Sequence, residues 1–301
     1  RGLKDQIRYF ANNGNGSFED KTVEAGLVGI TSGINLIHAD YDNDGLVDIF
    51  VLRGGWIEKG GHYPNSLLRN LGDGRFADVT QEAGLLSMHP TQTAAWADLD
   101  RDGLLDLFIG NETWPDDGRH ACELYRNNGN GTFTECAMPC GIHVTGIVKG
   151  VTVGDYDNDQ WSDIYISRFN DENILLRNLG SGESGKPWLQ FADVSQAAKV
   201  QEPLRSFPTW FWDFDNDGWL DIFVGGFWVS DVGEVAADYL GRETSAERPR
   251  LYRNRGDGTF EDVTDSQELD IVSMPMGANY GDLDNDGWLD FYLGTGNPSV
   301  K

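Results

Sequence analysis

The chain has 301 residues, 39 % of them hydrophobic, and sets 49 acidic side chains against 23 basic ones for a formal net charge of −26. That size and apolar content allow a buried core in one large or two ordinary domains and exclude a disordered acidic tail. The charge argues against nucleic acid or an anionic membrane as partner, and no apolar run approaches the roughly 18 to 20 residues that cross a bilayer.

The chain begins at Arg1 with no recognisable signal segment, so it reads as a mature or excised segment. From there two patterns alternate. Residues 9–27, YFANNGNGSFEDKTVEAGL, set two apolar-patterned segments around an Asn/Gly turn, the mark of a β-hairpin. Residues 40–48, DYDNDGLVD, then crowd four aspartates into nine positions. The hairpin pattern returns at 67–85 (LLRNLGDGRFADVTQEAGL), 124–136 (LYRNNGNGTFTEC), 175–195 with a longer turn, and 251–264 (LYRNRGDGTFEDVT). The acidic pattern returns as DLDRDGLLD from 98, DYDNDQWSD from 155, DFDNDGWLD from 213 and DLDNDGWLD from 282. Phe18, Phe76, Phe133, Phe191 and Phe260 recur at one hairpin position and read as core between repeats.

The five acidic loops hold 20 of the 49 acidic residues, so the charge is a property of these loops rather than of the whole surface. Aspartates at alternate positions of a tight turn repel one another unless a cation lies between them. Ca²⁺ takes roughly six to eight oxygens, and positions 1, 3, 5, 7 (through its carbonyl) and 9 of each loop supply them. The expected ligands are Asp40, Asp42, Asp44, Leu46 and Asp48 in the first loop, and Asp98, Asp100, Asp102, Leu104 and Asp106 in the second. Asp155, Asp157, Asp159, Trp161 and Asp163 form the third set, and Asp213, Asp215, Asp217, Trp219 and Asp221 the fourth. Asp282, Asp284, Asp286, Trp288 and Asp290 complete the fifth.

Mg²⁺ is disfavoured by its strict octahedral geometry, and transition metals by the absence of His and Cys from these loops. An EF-hand is excluded because position 12 is apolar throughout: Val51, Ile109, Ile166, Val224 and Leu293. The loop exits, such as LVDIFVL and WLDIFVG, have strand composition. Gln160 replaces the position-6 glycine in the third loop, which predicts the weakest or most distorted of about five Ca²⁺ sites.

The loops start 58, 57, 58 and 69 residues apart, a period that fits four short strands per unit. The expected fold is all-β, a β-propeller of four-stranded antiparallel blades forming one domain over 1–301. Its repeats span about 28–80, 86–137, 143–195, 201–264, and 270–301 completed by 1–27. Either 1–27 closes a five-bladed ring with the last strands, or the chain is an arc of a larger ring. In either case acidic loops and hairpin turns share one face, and the long loops after each second strand share the other.

These DxDxDGxxD loops, followed by LxRNxGDGxFxDVTxxAGL, resemble the FG-GAP/VCBS repeats of integrin-like propellers. Over nearly its whole length the chain is most similar to the secreted family related to cartilage acidic protein, whose members often end in an ASPIC/UnbV domain; no such segment is seen here. The resemblance implies a calcium-bound extracellular or periplasmic propeller, usually of about seven blades, with adhesion the commonest assigned role.

On the face away from the acidic loops, three long loops carry Trp56, His62, Tyr63, Trp114, His120, Trp228 and Tyr239. Aromatics beside polar groups suit a glycan or an extracellular protein ligand. A short helix is expected within VGEVAADYLG, where the fourth interval lengthens. His89, His143 and Arg205 lie on connections nearer a channel mouth, where a polysaccharide-active, lyase-like enzyme would work. With no nucleophile elbow, P-loop or histidine spacing signature, a binding or adhesion module is the preferred reading, and a structural subunit of a larger assembly is a third. Cys122 and Cys136 flank a turn and are the candidate disulfide, with Cys136–Cys140 as competitor.

Overall fold

Four strands of composition [LW]xD[IL][FY] are each buried on both sides, and that requirement organises the chain. The computed structural model describes residues 5–57, 60–180 and 189–295; the 181–188 part of the long fourth hairpin turn therefore lies outside the described residues. Contacts divide the chain into two compact units, residues 1–138 with 143–145, and residues 139–142 with 146–301.

The first unit opens with a two-stranded sheet, β1 (Phe10–Asn12) and β2 (Phe18–Asp20). Two up-and-down antiparallel sheets follow, β3 (Gly33–Ala39), β4 (Asp48–Arg53), β5 (Ser66–Asn70) and β6 (Phe76–Asp78), then β7 (Thr91–Ala97), β8 (Asp106–Asn111), β9 (Glu123–Asn127) and β10 (Phe133–Glu135). The second unit holds the sheet β11 (Ile147–Gly154), β12 (Asp163–Phe169), β13 (Ile174–Asn178) and β14 (Phe191–Asp193), followed by helix α1 (Ser195–Ala198). Next come β15 (Ser206–Trp212), β16 (Asp221–Gly226), helix α2 (Val232–Tyr239), β17 (Arg250–Asn254) and β18 (Phe260–Asp262). A two-stranded sheet, β19 (Pro275–Gly281) and β20 (Asp290–Thr295), comes last. The all-β expectation of four-stranded antiparallel blades holds, and the helix expected in VGEVAADYLG is α2, capped by Asp231, whose side chain accepts from Gly233 N at 2.6 Å.

Side chains alternate across a strand, so an unbroken apolar run serves two neighbours at once. In β4, Phe50 and Leu52 pack with Tyr41, Leu67, Leu107 and Ile109, while Ile49 and Val51 face Ala25, Leu27 and Leu68. In β16, Ile222 and Val224 pack with Tyr156, Tyr165 and Phe211, while Phe223 meets Trp210, Trp212 and Leu251. The first strand of every sheet after β1–β2 carries a register shift near its start, between Gly33 and Asn35 in β3 and between Thr91 and Thr93 in β7. Such a bulge increases local twist.

The residue pairs Ala25–Gly26, Ala83–Gly84 and Cys140–Gly141 each meet the fourth strand of the sheet that follows them. Phe76 N donates to Ala25 O at 2.9 Å, Phe133 N to Ala83 O at 2.8 Å, and Phe191 N to Cys140 O at 2.9 Å. Gly26, Gly84 and Gly141 follow in left-handed conformation, with φ of 76, 77 and 84°. A Cβ on them would meet the carbonyls of those same phenylalanines at 3.0, 3.2 and 3.0 Å. Phe133, Phe191 and Phe260 are buried and Phe76 is half-buried, as expected of core between repeats. Phe18 departs from the pattern: it lies in the two-stranded β1–β2 sheet and is 62 % exposed.

The expected Cys122–Cys136 disulfide is not formed, and Cys122, Cys136 and Cys140 are all buried as thiols. Register explains this. β9 and β10 pair Tyr125 with Glu135, which sets Cys136 against Leu124; its N–H and Sγ both bond Leu124 O, at 2.7 and 3.3 Å. Cys122 therefore lies two residues beyond the position a cross-strand bridge needs.

Substituting Gly84→Ala should destabilise the first unit by more than the roughly 1–2 kcal/mol of left-handed strain alone. Gly131→Ala supplies the comparison, because Gly131 has φ +81° and nothing within 4 Å. Equal losses in melting temperature for the two variants would mean that the junction with Phe133 contributes nothing.

Candidate functional site

Each acidic loop is wound around its own first aspartate. Oδ1 of Asp40, Asp98, Asp155, Asp213 and Asp282 accepts the N–H of position 5, and Oδ2 accepts that of position 6, at 2.7–3.1 Å. The position-5 aspartate accepts from the N–H of position 7 at 2.8–3.0 Å. The position-9 aspartate accepts from the N–H of position 2 at 3.0–3.3 Å.

Position 3 is different. Asp42, Asp157 and Asp215 each keep a buried Oδ1 with no hydrogen-bond partner. Leaving a buried acceptor unsatisfied costs about 1–3 kcal/mol, and more when it is charged. These oxygens belong to clusters in which the carboxylates of Asp40, Asp42 and Asp48, of Asp155, Asp157 and Asp163, and of Asp213, Asp215 and Asp221 offer atoms within 4.8 Å of one another. Asp98, Asp100 and Asp102 form the corresponding group in the second loop. An all-oxygen set of this kind fits a hard cation.

The hairpin motif RN adds a contribution that its turn-like composition conceals. Asn70, Asn127, Asn178 and Asn254 donate their backbone N–H to the position-9 aspartates Asp48, Asp106, Asp163 and Asp221 at 2.7–2.9 Å. Their side-chain amides bond the position-8 carbonyls, and Asn127 and Asn254 also reach the position-2 carbonyl of the preceding loop, Tyr41 O and Tyr156 O, both at 2.8 Å. The neighbouring arginines neutralise part of the cluster from outside: Arg126 on Asp100 at 3.0 Å, Arg177 on Asp157 at 2.6 Å and Arg253 on Asp215 at 2.7 Å.

Burial of the position-9 aspartates pushes their carboxyls up, against the lowering effect of the two N–H bonds. Asp48 rises to about 6, Asp106 and Asp221 to about 7 and Asp163 to about 8, with repulsion from positions 3 and 5 adding to the shift. Gln160 adopts φ +74° against +86 to +91° for the glycines, and its N–H reaches Asp155 at 2.7 Å. The third loop therefore keeps the geometry of the others, and any cost is backbone strain rather than distortion. Loops also bond to one another. The position-4 amides of Asn43, Asn158 and Asn216 each donate at 3.2 Å to the position-6 carbonyl of the next loop, Gly103, Gly218 and Gly287 respectively.

At the opposite end of the first unit's sheets, the loop after β4 and the loop after β8 bring Trp56 and Trp114 together, ring centroids 6.3 Å apart. Both are held by one carboxylate that is itself 0 % exposed: Glu112 Oε2 accepts from Trp56 N at 2.9 Å and from Trp114 Nε1 at 2.7 Å. Trp56 is 37 % exposed and takes φ +64°. His62 and His120 also meet, at 4.9 Å between centroids, and His89 joins His120 at 5.0 Å, so three histidines from separate loops form one group. Tyr63 lies apart, lining a cleft with Arg53, Ser66 and Asp78. In the second unit Trp228 lies under the Arg205 guanidinium at 4.2 Å and edge-on to Phe169, and Tyr239 stands 90 % exposed on α2. His143 Nδ1 contacts Met138 Sδ at 2.9 Å. His89, His143 and Arg205 thus occupy three different settings.

An FG-GAP-like repeat family matches residues 40–109, 113–166 and 213–293, which take in all five acidic loops. Cartilage acidic protein 1 of Mus musculus is 25 % identical over 292 residues, 92 % of this chain and 41 % of the relative. The Homo sapiens protein of that name matches equally, and that of Xenopus tropicalis is 29 % identical over 207 residues, 67 % of this chain and 30 % of its own length. The chain thus spans about two fifths of the mouse and human relatives. Among solved structures, a lectin of Agrocybe aegerita that recognises non-reducing terminal N-acetylglucosamine covers 96 % of this chain and 68 % of its own, with TM-score 0.48 and 21 % identity. The V. cholerae biofilm matrix protein Bap1 covers 85 % of this chain and 33 % of its own at TM-score 0.40 and 14 % identity. The repeated acidic loops, their spacing and the extent of the match agree: the chain belongs to the FG-GAP-like repeat family.

Proposed function

We propose that the chain is an exported, calcium-binding β-propeller module that binds an extracellular glycan through the Trp56–Trp114 surface. The observation that carries the reading is the indole pair fixed on the buried Glu112 carboxylate. Two indoles from separate loops, fixed in advance, offer an apolar platform at low entropic cost, and sugar rings or protein side chains stack on such platforms. Gly54 and Gly55 let the first of these loops lie flat: a Cβ on Gly54 would meet Gly61 O at 1.9 Å, and one on Gly55 would meet Glu112 Oε1 at 3.0 Å.

Ca²⁺ in the acidic loops has a structural part in this reading. The unpartnered oxygens of Asp42, Asp157 and Asp215 support it. Bound only by the folded state at about 100 times its Kd, a cation stabilises by about 2.7 kcal/mol per site. Weak loops of this kind suit the millimolar calcium found outside the cytosol, which is the basis for the proposed export. Among the described residues no helix is long and apolar enough to cross a membrane.

Two outcomes follow. Without cation, carboxyls raised from 3.8 to between about 6 and 8 bind more protons in the folded state than in the unfolded one. Their stabilising contribution is full below about pH 4 and is lost as pH rises through about 6 to 8. Chelated protein should therefore melt higher at pH 5 than at pH 8, and protein in millimolar calcium should show the reverse order. Parallel pH profiles with and without chelator would overturn the calcium assignment.

For the ligand, the chain is incubated with a polysaccharide panel in millimolar calcium, scoring retention and new chain ends in the same tubes. Retention that falls at least tenfold in Trp56→Ala/Trp114→Ala, with the melting temperature unchanged, is the expected result. New chain ends would replace the module by a polysaccharide-active enzyme. Silence across the panel would favour a protein ligand or a structural subunit.

A further inference from the structure

The histidine group on the loops of the first unit has the geometry of a second, chemically different metal site. We propose that His62, Asp117 and His120 bind one Zn²⁺-class transition-metal ion, with His89 and the Met88 carbonyl orienting the two imidazoles. The three side chains offer ligand atoms within 4.8 Å of one another. Asp117 Oδ1 lies 3.2 Å from His62 Nε2, and Oδ2 lies 3.6 Å from His120 Nε2. Two ligands on a tetrahedral ion with bonds of about 2.0–2.1 Å stand roughly 3.4 Å apart, so these separations leave room for the ion with little movement.

Hydrogen bonding points the same way. The Asp117 side chain is only 7 % exposed, yet its Oδ2 is buried without a hydrogen-bond partner. His62 Nδ1 lies 3.3 Å from Met88 O and its Nε2 faces the Asp117 carboxylate, so the ring has an acceptor at both nitrogens. A neutral imidazole carries one proton. With Nδ1–H donating to Met88 O, the Nε2 lone pair points at a carboxylate oxygen, and a cation between them turns that repulsion into two bonds.

His120 is prepared similarly. Its Nδ1 lies 2.8 Å from His89 Nδ1, a bond that either tautomer of the pair can make. When His120 Nδ1 is the donor, Nε2 is released from Asp117 O, at 2.9 Å, for a metal. Metal-bound histidines almost always donate their outer N–H to a fixed acceptor, and both acceptors are in place.

The backbone holds the parts in position. Gly54 and Gly61 press the His62 loop against Pro90, and a Cβ on Gly61 would meet Gly54 O at 2.4 Å and Pro90 Cβ at 3.0 Å. Thr113 Oγ1 bonds both His120 N and His120 O, at 3.0 and 2.9 Å. His62 is 40 % exposed at its side chain, which gives the ion a path in, and three protein ligands leave a fourth position for water or an oxygen ligand. Two imidazoles and a carboxylate suit zinc and its transition-metal neighbours rather than calcium. The site uses neither indole of the proposed glycan surface nor any residue of the acidic loops.

The test is calorimetric titration of the full chain with Zn²⁺, held in millimolar calcium so that the acidic loops are filled. One equivalent should bind, and Co²⁺ loaded in its place should give the visible absorption of a four-coordinate centre. His62→Ala and Asp117→Asn should abolish that equivalent with melting in calcium unchanged, and His89→Ala should weaken it about 10- to 100-fold. His62 is exposed, so its variant keeps the test meaningful even if a change at the buried His120 unfolds the loop. No bound equivalent, or one that survives His62→Ala and Asp117→Asn, would overturn the proposal, the latter assigning zinc to the cysteines or the surface.

Discussion

The constraint on which the rest depends is the burial of one carboxylate in each four-stranded sheet. Asp48, Asp106, Asp163 and Asp221 are at most 1 % exposed and stand where the acidic loop turns into the second strand. A charge can be kept there only if its oxygens are fully engaged. One N–H comes from position 2 of its own loop and another from the Asn of the RN motif in the third strand. The same Asn spends its amide on the loop's own carbonyls, and in two repeats on the preceding loop as well. Loop, sheet and neighbouring sheet are thus tied at one atom group, and the apolar strands pack around a point already fixed by polar contacts.

Much of this was legible in the sequence, for reasons that differ by element. The acidic loops are local: five ligand positions in nine residues need no knowledge of tertiary contacts, and the even spacing of the loops sets the strand count. The strand after each loop was legible because its apolar run is unbroken. The RN motif was visible but read only as part of a hairpin, since its donors act on an aspartate 21 or 22 residues back in the first two sheets. The cysteines flank a turn almost symmetrically, yet a two-residue offset in pairing separates them, and only register reveals it. His62, His89 and His120 lie in three loops with no common spacing, so the stacking of two sheets must be known before they become one group. The sole signal available was that each sits on a connection at the same end of its repeat.

The two kinds of site lie at opposite ends of one strand. In the second sheet the acidic loop of residues 98–106 feeds β8, and Glu112, Trp114, Asp117 and His120 follow directly after β8 ends at Asn111. Six residues of strand separate them by about 20 Å, at roughly 3.3 Å each. A cation in the loop cannot touch a ligand on the indoles. In the proposed reading its influence on binding passes through the order it imposes on the strand, so calcium is there a condition of binding rather than a participant in it. The second end differs in donor chemistry too: indole, imidazole and single carboxylates replace the dense aspartate cluster.

The amide ladder between neighbouring loops bears on how such a chain changes length. Asn43 donates to Gly103, Asn158 to Gly218 and Asn216 to Gly287, always from position 4 to the next position 6. Donor and acceptor sit in the same nine residues, so each loop with Asn at position 4 brings both halves of the junction; the second loop has Arg101 there instead. Duplication of one whole repeat therefore inserts a unit that bonds forward and backward with no new residue invented. Loss of a whole repeat heals the same way. Insertion of a single residue inside a loop would instead misplace both halves and spoil two junctions at once. Variation in this family of folds is thus expected in whole repeats rather than in single residues of the acidic loops.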